Sequence, residues 1–256
     1  MNKVVNDFSI TVGTKNGSGS STANNTILRA IFKMGIPVSG KNLFPSNIQG
    51  LPTWYTIRAS KDGYLGRREE HDIVIAINPD SFVRDLASVA PGGAFFYADD
   101  IKQPVTRTDV TAYAMPIKQL IREQTEVPPN LRDLVGNMIY VGILAQMISM
   151  DLEKIHAALD FHFKHREKPT MMNFNAVKAG ADWAKTNLTK TDAFVLEPMN
   201  KTDGMIMADG NTAAALGAIY GGVQFVGWYP ITPATSLAES LNDYLPILRK
   251  REDGKR

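Results

Sequence analysis

The chain has 256 residues, an apolar content of 44% and a formal net charge of +2, which are ordinary values for a globular protein of one or two domains. So small a net charge gives no sign of a nucleic-acid or membrane partner. Because cysteine is absent, these residues can form no disulfide, offer no thiolate nucleophile and cannot ligate an iron–sulfur cluster through cysteine.

The first part of the chain alternates between strand and helix patterns, which is typical of an α/β sheet. A continuous Ile/Val run in residues 72–78 indicates a strand buried on both faces. Residues 13–21, GTKNGSGSS, form a Gly/Ser loop, and residues 91–93, Pro-Gly-Gly, predict a turn. Strands are predicted at residues 7–12, 36–38, 53–59, 72–78, 94–97 and 110–115, and helices at 22–34 and 82–89.

From residue 117 the pattern becomes helical. The apolar stretch 134–150 is interrupted by Asn137 and Gln146 and is shorter than the roughly 20 residues that a membrane span needs. We therefore expect a buried helix there, no membrane and, since no signal peptide is visible, a cytoplasmic location. Helices are predicted at residues 117–123, 130–150, 151–164 and 171–186, followed by an exposed polar linker at 187–204 and a short strand at 205–208.

Residues 210–235 carry the most informative pattern. Asn211 is a candidate cap for an Ala-rich helix at 212–220, and a buried strand is predicted at 223–229. Pro230 ends that strand, and Thr232 before Pro233 predicts the start of a helix at 234–245. The pattern places Thr232 at a helix N-terminus on the carboxyl edge of a sheet, where open α/β sheets bind ligands and free N–H groups favour anions.

The motif YPITP at residues 229–233, preceded by Gly210-Asn211 and the Ala-rich helix, resembles the start of the alpha subunit of 2-oxoacid:ferredoxin oxidoreductases. In that family it opens the pyrimidine-binding domain of a thiamine diphosphate enzyme. The preceding residues resemble the family's gamma domain, fused ahead of the alpha part as in the 2-oxoglutarate-type enzymes. The supporting stretches are the Gly/Ser loop, FPSNIQG at 44–50, the strand at 72–78, Asn137-Met138, and 173–180.

The resemblance implies an α/β fold with three parts. Residues 1–186 would form a three-layer sheet-and-helix gamma domain, 187–204 the linker, and 205–256 an incomplete N-terminal part of the pyrimidine-binding α/β domain. The last part is too short to close a sheet around its own core, so the sequence resembles a fragment truncated early in that domain.

The resemblance also implies the reaction. A 2-oxoacid, of the 2-oxoglutarate type, and CoA would give acyl-CoA and CO2 with reduction of ferredoxin, or the reverse. Thiamine diphosphate with Mg²⁺ and a [4Fe-4S] cluster would be held mainly by a beta subunit. The family's activating carboxylate and substrate-binding arginine would lie downstream of Arg256, so no catalytic residue and no metal ligand is implied here, and this chain alone should not turn over.

Site residues follow from the motif. Thr232, Tyr229 and Ile231 are implied to bind the 2-oxoacid, and Pro230 and Pro233 to shape the loop at the thiamine site. For Thr232 the alternative is a hydroxyl that only caps the helix.

The Gly/Ser loop begins like a dinucleotide-binding fingerprint but ends in Thr22, and no Asp or Glu lies between Asp7 and Asp62 to hold a ribose. The same interval carries six Lys and Arg residues, a local positive field that suits a phosphate-rich ligand unless the side chains are merely scattered and solvated. In the resembled family the gamma domain helps to bind coenzyme A. The predicted CoA-binding residues are Gly13, Gly17, Gly19 and Ser20.

Other constellations are weaker. His162 and His165 share a helix face without a third metal ligand, and residues 67–70, Arg-Arg-Glu-Glu, predict a solvated turn. Two other functions stay open: a non-catalytic CoA-binding or scaffold module, and an NAD(P)-binding dehydrogenase, which the missing acid disfavours. Copurification with a cysteine-containing beta partner would favour the oxidoreductase, and a stable monomer would favour the scaffold.

Overall fold

The computed structural model describes residues 3–43, 48–231 and 234–249, and the chain divides into two compact units, Met1–Asp203 and Gly204–Arg256. In chain order the first unit contains β1 (Val4–Val5), β2 (Asp7–Lys15), α1 (Ser20–Lys33), β3 (Val38–Leu43), β4 (Pro52–Ser60), β5 (His71–Ala76), α2 (Phe82–Ala87), β6 (Val89–Ala98), β7 (Thr111–Met115), α3 (Ile117–Glu123), a 3-10 turn (Pro129–Leu131), α4 (Arg132–Ile148), α5 (Leu152–His162), α6 (Glu167–Asn187) and β8 (Phe194–Val195), and the second contains α7 (Gly210–Tyr220) and α8 (Thr235–Leu248).

The first unit is built on a six-stranded sheet with the order β3-β4-β2-β5-β6-β7. Strands β2, β5, β6 and β7 run parallel, whereas β4 is antiparallel to both β2 and β3. Central strands with apolar side chains on both faces, such as β5, are buried throughout, as the Ile/Val run predicts. The α/β class and the parallel-rich sheet expected from the sequence are confirmed.

The two faces of β2 meet different layers because successive side chains of a strand point to opposite sides. Thr14 contacts Ser20 of α1, and the helices α1, α4, α5 and α6 cover this face. On the other face, the space beside Gly13 is filled by Asp85 of α2. Helices, sheet and α2 therefore form three layers.

The stretch that resembled a membrane span is α4 with its preceding turn. Within the described part of the chain, Pro129–Ile148 is long and apolar enough to cross a membrane by length and composition alone, with a mean hydropathy of 1.2. Most of this segment is buried inside the fold, mainly against α6, as expected for a core helix.

The turn predicted at residues 91–93 is wrong, because β6 continues through it. Val89 pairs with His71 and Ala94 with Ile73, so four residues of β6 stand opposite one residue of β5. Gly92 takes a left-handed φ of 78° inside this bulge. The Pro-Gly-Gly signal thus marks an irregularity within a strand.

The expectation of an exposed linker at residues 187–204 is also wrong for its middle. Phe194 and Val195 form β8, which pairs in parallel with β1, and Leu196 is buried beside them. Asn6 fixes this junction, since its side chain donates to the carbonyl of Glu197 and accepts from the amide of Glu197 at 2.8 and 2.9 Å. The segment belongs to the first unit up to Asp203.

The second unit is a pair of helices. Asp209, and not Asn211, caps α7, because its carboxylate accepts from the Thr212 amide at 2.7 Å. Ala215, Ile219 and Leu241 form its small buried core. The strands predicted at 205–208 and 223–229 are absent from the described residues, where both stretches are irregular and mostly exposed. A strand needs a neighbour for its N–H and C=O groups, and no sheet is present in this unit.

Candidate functional site

The Gly/Ser loop joins the end of β2 to α1 and turns through two glycines in the left-handed region. Gly17 has a φ of 83° and Gly19 a φ of 78°, conformations that residues with a side chain rarely adopt. The amide side chain of Asn137 in α4 donates to the Ser18 carbonyl at 2.9 Å and holds the loop against the helical layer. The sequence pattern therefore forms a fixed turn.

The N-terminus of α1 is open to a ligand. Gly19 occupies the N-cap position, no side chain caps the helix, and its first turn carries no acidic residue. The first N–H groups of a helix have no intrahelical acceptor and carry a partial positive charge, so they attract anions. Ser20, the first residue of α1, is buried, and its hydroxyl lies 2.9 Å from that of Thr14.

A cavity of about 400 Å³ lies against this loop. Besides Gly17, Gly19 and Ser20, it has residues that the sequence gave no reason to select, from α1, the two edge strands and α4. These are Asn24, Asn42, Thr53, Trp54, Tyr55 and Leu134. Amides, hydroxyls and two aromatic rings thus surround the glycine turn, a mixture that suits a ligand with both polar and planar parts.

Two buried polar atoms near this loop have no hydrogen-bond partner in the described part of the chain. They are the Ser18 hydroxyl oxygen and Nε of Arg132, the first residue of α4. Leaving a buried donor or acceptor unpaired costs about 1–3 kcal/mol, which a ligand or water can recover. The loop therefore holds unused hydrogen-bonding capacity.

The six basic residues of the acid-free interval do not converge on the loop. Lys15 lines the cavity and lies 3.6 Å from Asp80. Arg58 is buried in an ion pair with Asp7, and Arg29 stacks on the ring of Phe161 at 4.4 Å. The even choice between convergence and scatter thus resolves mainly to scatter, and the loop amides and Lys15 provide the positive potential.

Gly13 serves a different purpose from the other glycines, because β2 extends beyond the predicted end and includes it. A Cβ added at Gly13 would lie 2.4 Å from Oδ2 of Asp85. Asp85 accepts hydrogen bonds from Trp54 Nε1 at 2.6 Å and from the Ser81 hydroxyl at 2.7 Å. Burial nevertheless raises the pKa of Asp85 to about 6, against the effect of these two bonds. Gly13 is absent from the cavity's lining residues and gives Asp85 its space instead.

The YPITP residues lie in the second unit. Tyr229, Pro230 and Ile231 follow an irregular segment, and the side chains of Tyr229 and Ile231 are 75% and 61% exposed. Thr232 and Pro233 lie outside the described residues. Their predicted roles at a substrate and thiamine site stay predictions.

The histidines form separate contacts. His162 lies 3.3 Å from the Thr22 hydroxyl, and His165 pairs with Asp160 at 2.6 Å. In the described ranges no group of three His, Asp or Glu residues could hold a metal ion.

The comparison with protein families decides the assignment. Residues 9–183 match the family described as pyruvate ferredoxin/flavodoxin oxidoreductase. The chain belongs to this family. The resemblance to 2-oxoacid:ferredoxin oxidoreductases that rests on the YPITP motif and the gamma-like stretches is confirmed.

Relatives of known name agree with the family. The chain is 23% identical over 270 residues to the alpha subunit of 2-oxoacid:ferredoxin oxidoreductase 2 from Aeropyrum pernix, covering 91% of this chain and 42% of that protein. It is 25% identical over 273 residues to the alpha subunit of 2-oxoacid:ferredoxin oxidoreductase 1 from Sulfurisphaera tokodaii, again covering 93% of this chain and 42% of the relative. The chain therefore spans less than half the length of these curated relatives.

Two solved structures are similar to this oxidoreductase-family chain. The 2-oxoglutarate:ferredoxin oxidoreductase of Magnetococcus marinus, solved with 2-oxoglutarate, coenzyme A and succinyl-CoA bound, has a TM-score of 0.82 and 29% identity over all of this chain and 43% of that one. The keto/oxoacid ferredoxin oxidoreductase gamma subunit from Geobacter sulfurreducens has a TM-score of 0.55 and 15% identity over 70% of this chain and 99% of that one. The second likeness concerns the fold alone.

Proposed function

We propose that this chain is the fused gamma–alpha part of a 2-oxoacid:ferredoxin oxidoreductase and that its first unit binds coenzyme A at the glycine loop. The observation that carries the proposal is the cavity at Gly17 and Gly19, where an uncapped helix N-terminus meets Lys15 and two aromatic rings. Coenzyme A joins phosphates to a planar base, which matches this lining. The Magnetococcus structure, whose ligands include coenzyme A, supports the choice.

The substrate is proposed to be 2-oxoglutarate. Support comes from the Magnetococcus enzyme and from the 2-oxoglutarate oxidoreductase subunit KorA of Mycobacterium tuberculosis, 23% identical over 74% of this chain. The proposed reaction forms succinyl-CoA and CO2 from 2-oxoglutarate and CoA, and two electrons pass to ferredoxin. The reverse reaction uses the same groups.

The partners follow from what these residues lack. With no cysteine, they cannot ligate a [4Fe-4S] cluster through thiolates, so we assign the cluster, thiamine diphosphate and Mg²⁺ mainly to a beta subunit. When bound, thiamine diphosphate supplies the electron sink for decarboxylation. This chain's part is to hold CoA at the glycine loop and to present residues 229–233 to the 2-oxoacid. The gamma and alpha domain assignment and the cytoplasmic location stay predictions.

Coenzyme A binding tests the proposal directly. Titration calorimetry of the 256-residue chain should show saturable CoA binding, weakened on the order of tenfold by Gly19→Ala. At Gly19 the φ of 78° strains alanine, and the new Cβ would lie 2.4 Å from Leu134, another residue of the cavity lining.

Gly92→Ala is the matched control. Gly92 has the same φ of 78° but no atom within 4 Å of an added Cβ, so it carries the backbone strain without the contact. The control should bind CoA like the parent chain. No CoA binding by the parent chain would refute the assignment of the site, and equal binding by Gly19→Ala would move the site away from this loop.

Thr232 is proposed to contact the 2-oxoacid in the assembled enzyme. A substrate contact predicts that Thr232→Ala lowers turnover by roughly ten- to a hundredfold, the scale of one lost hydrogen bond to a charged group, while Thr232→Ser keeps much more activity. A hydroxyl that only caps the helix predicts near-normal turnover for both variants and a lower Tm for the alanine. Normal kcat/KM of Thr232→Ala for 2-oxoglutarate would rule out the contact.

A further inference from the structure

A second cavity of about 400 Å³ lies on the opposite face of the sheet from α1, beside α2 and the mostly exposed segment 61–70. We call it the arginine cavity. Its lining is Thr11, Leu43, Trp54, Thr56, Arg67, Glu69, His71, Arg84, Asp85 and Ser88. It shares Trp54 with the glycine-loop cavity but none of the loop's own residues.

The two arginines are the unused cations of this cavity. Arg84 stacks on the Trp54 ring with its guanidinium carbon 4.3 Å from the ring centroid. Neither Arg67 nor Arg84 makes a side-chain hydrogen bond or salt bridge within the part of the chain that the structure describes. Each guanidinium therefore offers a planar set of N–H donors to a ligand.

The acidic side chain deepest in the cavity cannot satisfy these donors. Both oxygens of Asp85 already accept, one from Trp54 and the other from Ser81, and the residue is 1% exposed. The remaining carboxylate, Glu69, lies in the exposed segment. Hydrogen-bond donors therefore exceed free acceptors on the cavity wall.

Two further lining groups have unused capacity. The buried hydroxyls of Thr11 and Thr56 lie 3.1 Å apart, so one donates to the other and the second hydrogen stays free for a ligand. His71 is 6% exposed, and its Nδ1 has no hydrogen-bond partner among the described residues. Burial, and then the nearby charge of Arg67, lower the pKa of His71, so the ring is neutral near pH 7 and can still donate one hydrogen.

We propose that the arginine cavity is a binding site for a small oxyanion, a carboxylate or a phosphate group, held between Arg67 and Arg84 over the Thr11–Thr56 pair. An oxyanion has acceptors only, which complements a wall with spare donors, and planar guanidinium groups match carboxylate and phosphate oxygens in pairs. The proposal rests on this cavity alone and is independent of CoA binding at the glycine loop.

Calorimetric titration of the 256-residue chain with inorganic phosphate and, separately, with acetate at constant ionic strength tests the site. At least one ion should bind saturably, and Arg67→Gln and Arg84→Gln should each weaken it on the order of tenfold. Both side chains are exposed and form no core contacts, so the variants should fold. Tighter binding of phosphate would identify a phosphoryl ligand, and tighter binding of acetate a carboxylate.

Arg122→Gln is the control for loss of one positive charge, because Arg122 is exposed on α3 and does not line the cavity. A Gly19→Ala chain is titrated as well, since phosphate binding at the glycine loop would weaken there while binding at the arginine cavity would not. Absence of saturable binding of both ions overturns the proposal. Unchanged binding in the two cavity variants, or equal weakening by Arg122→Gln, overturns it too.

Discussion

Gly142→Ala should destabilise the first unit by about 3 kcal/mol or more, enough to unfold a protein of ordinary stability. Helices α4 and α6 approach each other through glycines, and a Cβ at Gly142 would lie 1.9 Å from the Val177 carbonyl oxygen. The reciprocal contact is equally close, since a Cβ at Gly180 would lie 2.2 Å from the Ile139 carbonyl oxygen. Backbone atoms cannot move aside as a flexible side chain can, so the helices must separate.

Gly136→Ala is the control within the same helix. Its added Cβ would make only ordinary contacts with Ile121, the nearest atom being 3.7 Å away. Because alanine favours a helix over glycine by roughly 0.5–1 kcal/mol, this variant should be as stable as the parent or slightly more stable. Chemical denaturation followed by circular dichroism compares the two. Parent-like stability of Gly142→Ala would show that the helices are not packed this closely.

Asp85→Asn should stabilise the chain at neutral pH, by up to roughly 3 kcal/mol, which is a pKa difference of about two pH units converted to free energy. Burial raises the pKa of Asp85 from its ordinary 3.8 to about 6, so the folded protein binds a proton that the unfolded chain releases. Asparagine keeps the shape, since its oxygen can accept from Trp54 and its amide can donate to the Ser81 hydroxyl.

The sign follows from the raised pKa. The favourable contribution of protonated Asp85 is complete below about pH 4 and is lost as the pH rises through about 6. The stability of Asp85→Asn relative to the parent should therefore increase between these values and level off above pH 7. Urea denaturation at pH steps across this range measures it, with exposed Asp99→Asn as the control for loss of one carboxylate. A difference that does not change with pH would mean that Asp85 is already ionised in acid.

Much of the first unit could be predicted because its signals are local. The Ile/Val run of β5, the apolar face of α1 and the glycines of the loop each express their structure within a few residues. The loop glycines in particular adopt the left-handed conformations for which glycine is needed.

The rest of the site depends on contacts between residues far apart in the chain. Trp54 and Asp85 are brought together by the pairing of β4 and β2 and by the placement of α2, and neither residue belongs to a local motif. Strand order and direction also decide that Asn42 and Tyr55 reach the loop. A single sequence carries no direct signal for such pairings.

Local turn signals failed where tertiary pairing overrode them. Residues 91–93 read as a turn, but β5 on one side and β7 on the other hold them in a bulged strand. The polar stretch around Phe194 read as a linker, but β1 provides an edge on which it pairs. Residues 223–229 failed for the opposite reason, because their apolar pattern has no strand beside it.

The pairing of β1 with β8 brings the entrance and the exit of the first unit to the same place. Val4 donates to the Ala193 carbonyl at 2.9 Å, and Asn6 to that of Val195 at 3.1 Å. A unit whose two ends meet can be joined to another polypeptide or cut from it without rearranging its interior. The same architecture can thus serve as a separate small subunit or as the front of a longer one, and a gene fusion or split at this junction costs the fold little.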